Sequence, residues 1–126
     1  MVGQSSRFLI QKMISNIDFS RDLTIVQYGS GKAVFVKQIL RKMLPNSKLY
    51  VFEIDEKYNK YAEKIHDSRL VYINDSAEKI FDYVTEKEVD AVVSTLPFAS
   101  LPKSLLELII TNSRAILKEN GIFLQY

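Results

Sequence analysis

The sequence predicts an α/β fold with a doubly wound, mostly parallel sheet of five strands and helices on both faces. Two observations carry this prediction. Short apolar runs alternate with helix-patterned segments along the whole chain, and the runs are apolar at consecutive positions rather than at every second one. Consecutive apolar residues are typical of strands covered on both faces. Right-handed crossovers would bring the carboxyl ends of the strands to one edge, where such folds bind ligands.

Each element in the first half follows from a local pattern. Residues 5–17 and Lys32–Leu44 are predicted as helices, because apolar side chains recur there at helical spacing. Leu23–Tyr28 and Leu49–Glu53 are predicted as strands, because both are short apolar runs bounded by turn residues.

The second half continues the alternation. Proline is favoured in the first turn of a helix, and Pro102 stands at the start of a long helical pattern. Asn120-Gly121 is expected to turn the chain into its last strand. The predicted elements are the helix Glu56–His66, the strand Leu70–Ile73, a helix over about Ala77–Thr85, the strand Val89–Thr95, the helix Pro102–Lys118 and the strand Ile122–Tyr126.

The composition indicates one ordinary globular domain spanning residues 1–126. Hydrophobic residues make up 47% of the 126 residues, charged residues make up 25%, and the net charge is +2. The chain has no cysteine and one histidine, which excludes disulfides, thiolate chemistry and a metal site built from several histidines. No apolar run approaches the roughly 20 residues that span a bilayer. We therefore expect a cytoplasmic protein.

The most discriminating segment runs from Ile25 to Glu53. An apolar strand leads into a loop with Gly29 and Gly31, a helix follows at once, and the next strand ends on Glu53. Glycines let the backbone approach a ligand closely and adopt unusual dihedral angles. A carboxylate about 20 residues beyond such a turn can accept hydrogen bonds from ribose hydroxyls. The spacing predicts a Rossmann-like cradle for a nucleoside.

The residues of this loop leave several ligands open. A P-loop needs a hydroxyl residue after Gly-Lys and a glycine five positions earlier, where Ala33 and Val26 stand. A dinucleotide site needs a third glycine, whose place is taken by Val34. S-adenosyl-L-methionine has no pyrophosphate, so its loop needs fewer glycines. The remaining alternative is a tight turn without a ligand, with Glu53 capping a helix.

Several segments carry a resemblance to a known family. The most specific are S-x-L-P-x-x-S-L-P at 94–102 and F-x-Q-Y at 123–126. The others are Ser5–Leu9, Gln27–Gly31, Val51–Asp55 and Asn74–Ser76, and Gly121–Tyr126 contains the second motif. On these segments, which span nearly the whole chain, the protein resembles the phospholipid N-methyltransferases. They are a branch of the class I S-adenosylmethionine-dependent methyltransferases related to the rRNA adenine dimethyltransferases.

The resemblance implies a site for S-adenosyl-L-methionine. The loop Gly29-Ser30-Gly31, with Gln27 beside it, would hold the methionine half and the sulfonium.

The adenosine half would lie on the neighbouring loops. Glu53 would hold the ribose hydroxyls and Ile54 would lie against the adenine face. Asp75, with Ser76 nearby, would accept a hydrogen bond from the adenine amino group.

The same resemblance implies that Ser94, Thr95, Leu96, Pro97 and Phe98 line the mouth for methyl transfer. Where the adenine dimethyltransferases have Asn in the motif N-[LI]-P-[YF], this chain has Thr95. A single hydroxyl suits an aliphatic amine better than a base, because the amine mainly needs acceptors and an apolar wall such as Phe98. A rigid exit from the strand is the plainer interpretation of these residues.

Two positions in the loop depart from the family pattern. Gln27 stands where the family has an acid, and Lys32-Ala33 where it has Thr-Gly. Both changes should weaken the binding of a sulfonium, by about 1 kcal/mol or more at an effective dielectric near 20. The predicted function is N-methylation of a phospholipid amine headgroup. A degenerate or truncated cofactor-binding module without turnover is the alternative, and rRNA adenine methylation is a third.

Two surfaces predict further partners. The helix 5–17 sets Arg7 and Lys12 among apolar residues, a pattern that suits either a sheet-covering helix or a peripheral position on the inner membrane face. The strand 122–126 would be an unprotected edge, which a homodimer could pair. The family continues with two further strands, so we expect this sheet to lack the last two of the usual seven.

Overall fold

A computed structural model describes residues 4–126 and contains one sheet of five parallel strands in the order β3-β2-β1-β4-β5. The strands are β1 (Thr24–Tyr28), β2 (Lys48–Phe52), β3 (Leu70–Ile73), β4 (Val89–Ser94) and β5 (Leu117–Gln125). The α-helices are α1 (Gln4–Ile14), α2 (Val34–Lys42), α3 (Asn59–Ala62) and α4 (Lys103–Ile116), and 3-10 helices cover Glu56–Tyr58, Ala77–Asp82 and Phe98–Ser100. The predicted fold class is confirmed.

The sheet separates two apolar cores, because neighbouring residues of a strand point to opposite faces. On one face, Ile25 of β1 packs with buried residues of α1 and α2, among them Ile14 and Ile39. On the other face, Val26 packs with α4 and the 3-10 helix Ala77–Asp82. Both layers are needed to bury a parallel sheet. Within residues 4–126, no helix has the length and apolar character required to cross a membrane.

The first helix ends earlier than predicted, at Ile14 instead of residue 17. The hydroxyl of Ser15 donates to the carbonyl of Lys12, and the amide of Asn16 donates to the carbonyl of Met13. Such side chains compete for the backbone groups that would continue the helix.

The two middle helices are also shorter than predicted. The segment 56–66 folds as a 3-10 turn and the four-residue α3, in which only Ala62 is buried. The segment 77–85 forms a 3-10 helix that ends at Asp82 and is interrupted at Lys79, where ψ is 15°. Short helices gain most of their stability from packing, and these segments bury few side chains.

The last strand begins at Leu117, directly after α4, and not at Ile122. The register pairs Leu117 with Val89 and Ile122 with Ala91, so residues 118–121 lie in an irregular part of the ladder. The predicted turn at Asn120-Gly121 falls within this irregularity. Lys118 is held there because its Nζ donates to Asp90 Oδ1 at 3.0 Å.

Candidate functional site

Three loops meet at the carboxyl edge of the sheet because β1 lies between β2 and β4. Tyr28, the last residue of β1, is in register with Phe52 and Ser94. The Gly29 N–H donates to the Phe52 carbonyl at 2.7 Å, and the Thr95 N–H donates to the Tyr28 carbonyl at 2.9 Å. The glycine loop therefore lies between the loop that carries Glu53 and the loop that carries Thr95.

The glycine loop follows a path that ordinary residues rarely take. Gly29, Gly31 and Ala33 all have positive φ angles, of 81°, 48° and 66°. A Cβ on Gly29 would lie 2.5 Å from Thr95 Oγ1, whereas a Cβ on Gly31 would meet nothing within 4 Å. Gly29 is thus required by both its dihedral angle and its neighbour, and Gly31 by its dihedral angle alone.

Glu53 is buried and anchors the glycine loop. Its Oε1 accepts from the Ser30 N–H at 2.8 Å, the Gly31 N–H at 3.2 Å and the Ser30 hydroxyl at 3.2 Å. Within the part of the chain that the structure describes, its Oε2 accepts only from the Asp55 N–H, at 3.0 Å. One carboxylate oxygen is therefore committed to the loop, and the other retains capacity for further donors.

Tyr72 extends this network, although no local sequence pattern indicated it as a site residue. Its hydroxyl lies 3.2 Å from Ser30 Oγ. Burial, the largest effect, raises the pKa of Tyr72, and the nearby Glu53 carboxylate raises it further. Tyr72 is therefore a neutral phenol at physiological pH.

A small hollow of about 70 Å³ opens beside the glycine loop. Apolar side chains and two carboxylate-bearing residues form its walls. It is lined by Gly29, Phe52, Glu53, Ile54, Asp75, Ser76, Ala77, Leu96, Leu101, Leu105 and Ile109. The structure thus brings Gly29 together with all four residues predicted for the adenosine half. Ile54 is 73% exposed at the rim, an unusual position for a large aliphatic side chain.

Asp75 and Ser76 lie in the third loop, which follows β3. Asp75 Oδ1 accepts from the Ser76 N–H at 2.8 Å, and Ser76 caps the following 3-10 helix. The Asn74 amide donates to the Glu53 carbonyl at 3.1 Å and to Asn59 Oδ1 at 2.7 Å. Asn74 therefore fixes the second and third loops to each other.

The hydroxyls of the predicted mouth are both engaged with the protein. Ser94 is fully buried, and its Oγ accepts from the Leu96 N–H at 3.2 Å. Thr95 Oγ1 lies 3.1 Å from the carbonyl oxygens of both Tyr28 and Gly29. Thr95 donates its one hydroxyl hydrogen to these carbonyls, so only its lone pairs can meet another molecule.

The rest of the predicted mouth is divided between two places. Leu96 lines the hollow beside the glycine loop. Phe98 lies instead in a second hollow of about 260 Å³, with its ring 6.1 Å from that of Phe123. Pro97 is exposed and precedes the 3-10 helix Phe98–Ser100. Phe98 therefore does not line the hollow that contains Gly29 and Glu53.

The end of β5 adds two residues that were not predicted as site residues. Gln125 Nε2 donates to the Leu96 carbonyl at 2.7 Å, and the Tyr126 N–H donates to the Ser94 carbonyl at 2.9 Å. The Tyr126 ring packs edge-on against Phe35 at 5.1 Å. The signal for both residues was the F-x-Q-Y motif, but nothing in their spacing indicated which loop they hold.

The two departures from the family pattern occupy different environments. Gln27 is fully buried; its Nε2 donates to the Gly29 carbonyl at 2.9 Å, and its Oε1 has no hydrogen-bond partner among the described residues. Lys32 is exposed, so solvent screens its charge. The expected electrostatic penalty on a bound cation from Lys32 is accordingly reduced.

Comparison with solved structures identifies the fold. A SAM-dependent methyltransferase of Archaeoglobus fulgidus superimposes with a TM-score of 0.71 over 93% of this chain and 51% of its own, at 16% identity. A candidate methyltransferase of the same kind from Listeria monocytogenes gives 0.73 over 92% and 52%, at 17% identity. A candidate rRNA methylase of Clostridium thermocellum gives 0.72 over 94% and 64%, at 18% identity. No protein-family model matches the chain.

These likenesses cover almost all of this chain but only about half to two-thirds of each of these neighbours. At such low identity they bear on the fold and not on the substrate. The chain has the fold of the class I S-adenosylmethionine-dependent methyltransferases.

Proposed function

We propose that the chain is an S-adenosyl-L-methionine-dependent N-methyltransferase that acts on a phospholipid amine headgroup. The observation that carries the proposal is one hollow at the carboxyl edge of the sheet, lined by Gly29, Glu53 and Asp75. These residues come from three different loops. A tight turn held by Glu53 explains Gly29 and Glu53, but it does not explain why Asp75 and apolar side chains line the same hollow.

The residues around this hollow fit the cofactor. The backbone at Gly29 leaves no room for a Cβ, as expected where a loop passes close to its neighbours and to a ligand. Glu53 Oε2 accepts one hydrogen bond within the protein and can accept a ribose hydroxyl. Ile54 and Leu96 offer apolar surface for adenine, and Asp75 offers an acceptor for its amino group.

The bound cofactor would supply an activated methyl group, and the protein's task would be to position the acceptor nitrogen. Proximity and orientation contribute up to about 7–11 kcal/mol in well-aligned reactions. Thr95 can only accept, because its hydrogen is used on the Tyr28 and Gly29 carbonyls. An amine supplies N–H donors for such a group, which supports an amine acceptor. The phospholipid headgroup is the choice that the family resemblance adds.

Calorimetric titration with S-adenosyl-L-methionine and its demethylated product tests the cofactor assignment. We expect both to bind, and we expect Asp75→Asn to weaken binding about tenfold, as for one lost hydrogen bond to a charged group. Glu63→Gln, an exposed change directly after α3, is the control. If neither compound binds the folded wild-type protein, the cofactor assignment is wrong.

A second candidate is a cofactor-binding module without turnover, which the neutral, buried Gln27 favours. The two candidates differ in methyl transfer from labelled cofactor to vesicles that contain phosphatidylethanolamine. Labelled lipid supports the enzyme. If the cofactor binds tightly but no label reaches lipid, free amine or RNA, the result supports the cofactor-binding module without turnover.

We also propose that the outer edge of β5 pairs in a homodimer. Among the described residues β5 is hydrogen-bonded only to β4, and unpaired edges readily pair with other chains. Light scattering across a concentration series should then give a mass approaching twice 14.5 kDa. A constant monomer mass up to the highest soluble concentration would refute this part.

A further inference from the structure

The charged residues of the helices α1 and α2 are all positive. Neither helix contains an aspartate or glutamate. Their cations, which we call the cationic face, are Arg7, Lys12, Lys37, Arg41 and Lys42. The two helices contact each other and pack on the same face of the sheet, so their outer sides form one surface.

The cationic face is available to a partner. All five side chains are exposed. None of the four ion pairs found among the described residues involves any of them. Unpaired cations on one surface sum to a positive potential that attracts an extended anion.

The charge is distributed unequally between the two faces of the sheet. The segment 77–88 and α4, which pack on the opposite face, together contain five acids and four lysines or arginines. The net charge of +2 therefore conceals a molecule with five cations and no acid on α1 and α2 and a nearly balanced opposite face. Such a molecule is oriented by a charged surface.

Large apolar side chains stand among these cations. Phe8 is 64% exposed and Leu9 is 53% exposed on α1, and Leu44 is 37% exposed just after α2. Nucleic acid would reward cations and stacking aromatics, but it gains nothing from exposed leucines. A bilayer of anionic lipids rewards both features, because its headgroups attract cations and its acyl boundary accepts apolar side chains.

We propose that the cationic face of α1 and α2, with Phe8 and Leu9, docks the protein on a bilayer that contains anionic lipids. The inference rests on the proposed function for its meaning, since an enzyme that methylates a lipid amine has to reach a bilayer. Vesicle binding needs neither cofactor nor turnover, so it can be tested separately. The helix α2, which the sequence pattern assigned only to sheet packing, becomes half of the docking surface.

The test is flotation with phosphatidylcholine vesicles that contain, or lack, 30% phosphatidylglycerol (an anionic lipid). We expect binding only to the anionic vesicles, and we expect it to weaken as salt is raised. The variant Lys37→Gln, Arg41→Gln should bind at least tenfold more weakly, because each cation near an anionic leaflet strengthens binding about fivefold. The control Lys79→Gln, Lys87→Gln removes the same charge from the opposite face and should bind as the wild type does.

The outcomes separate the possibilities. Loss of binding in the α2 variant, with retention in the control, supports the cationic face. No flotation of the wild type, or equal weakening of both variants, overturns the proposal. If the α2 variant floats normally but loses retention of single-stranded RNA in a filter assay, the face is a nucleic-acid surface and the proposal is wrong. A cofactor titration that fails while vesicle binding follows the expected pattern refutes only the proposed catalytic function.

Discussion

At the scale of single residues, the positions of Gly29 and Thr95 depend on each other. The loop can follow its path only because Gly29 lacks a Cβ, and Thr95 Oγ1 occupies the space that a Cβ would need. In return, the carbonyls of Tyr28 and Gly29 accept the Thr95 hydroxyl hydrogen. Thr95, which the sequence predicts to line the mouth for methyl transfer, therefore also stabilises the glycine loop.

We predict that Gly29→Ala lowers the free energy of unfolding by about 2–3 kcal/mol, because it combines a steric clash with a φ of 81°. Gly31→Ala, which has only the dihedral cost, should lose about 1 kcal/mol. Urea denaturation measures both. Adding Thr95→Ala to Gly29→Ala should recover part of the loss, and strictly additive losses would contradict the proposed clash.

At the scale of elements, the end of β5 holds the exit of β4. The contact from Gln125 to the Leu96 carbonyl joins residues 29 positions apart, and the Tyr126 N–H continues the ladder to Ser94. Because the mouth follows β4 directly, its shape depends on where β5 ends. We therefore expect Gln125 to act on the proposed site through Leu96, as a positioning residue.

We predict that Gln125→Glu, which keeps the shape but removes the donor, lowers kcat/KM for the lipid amine about tenfold, corresponding to about 1.4 kcal/mol. Cofactor affinity by calorimetry should change little, since Gln125 does not line the hollow. Asn120→Asp, the same chemical change at an exposed position in β5, is the control. Equal effects of both variants on kcat/KM would contradict a positioning role for Gln125.

At the scale of the whole molecule, Asp90 links several segments at the amino edge of the sheet, opposite to the candidate site. Its Oδ1 accepts from Arg21 at 3.1 Å and from Lys118 at 3.0 Å, and its Oδ2 accepts from the Thr24 N–H at 2.8 Å. The Asp90 side chain is only 4% exposed. One carboxylate thereby connects the segment before β1, β1 itself and β5. Breaking a buried charge cluster is costly because the desolvated partners remain.

We predict that Asp90→Asn costs about 2 kcal/mol of unfolding free energy at pH 7, against almost nothing for the exposed Asp82→Asn. Burial, the largest single effect, raises the pKa of Asp90, but the Thr24 N–H, Lys118 and Arg21 together lower it below its ordinary value of 3.8. A lowered pKa in the folded state means that the stabilisation is present above pH 3.8 and is lost as the pH falls further. The difference between wild type and variant should therefore shrink below pH 3.8 in urea titrations. A difference independent of pH would contradict the role of the charge.

The fold and the composition of the site could be predicted because both depend on local patterns. Consecutive apolar residues indicate a two-sided sheet wherever they occur. The carboxyl ends of parallel strands must then share one edge. Gly29 and Glu53 follow their strands directly and Asp75 lies two residues beyond its strand, so the meeting of these three residues at one hollow needed no knowledge of packing.

The sequence by itself determined that the chain forms a parallel sheet covered on both faces. It also determined which loops follow the strands and which residues stand in those loops. Only the tertiary structure decided which partner each polar group takes. In the structure, one oxygen of Glu53 accepts hydrogen bonds from the glycine loop, and the Phe98 ring packs near that of Phe123. The strand β5 begins at Leu117, and Gln125 donates to the Leu96 carbonyl. The tertiary structure also united α1 and α2 into one positive surface. The reason is physical: strand patterns are set by neighbouring residues, whereas hydrogen-bond partners and surface charge depend on register and packing between segments far apart in the chain.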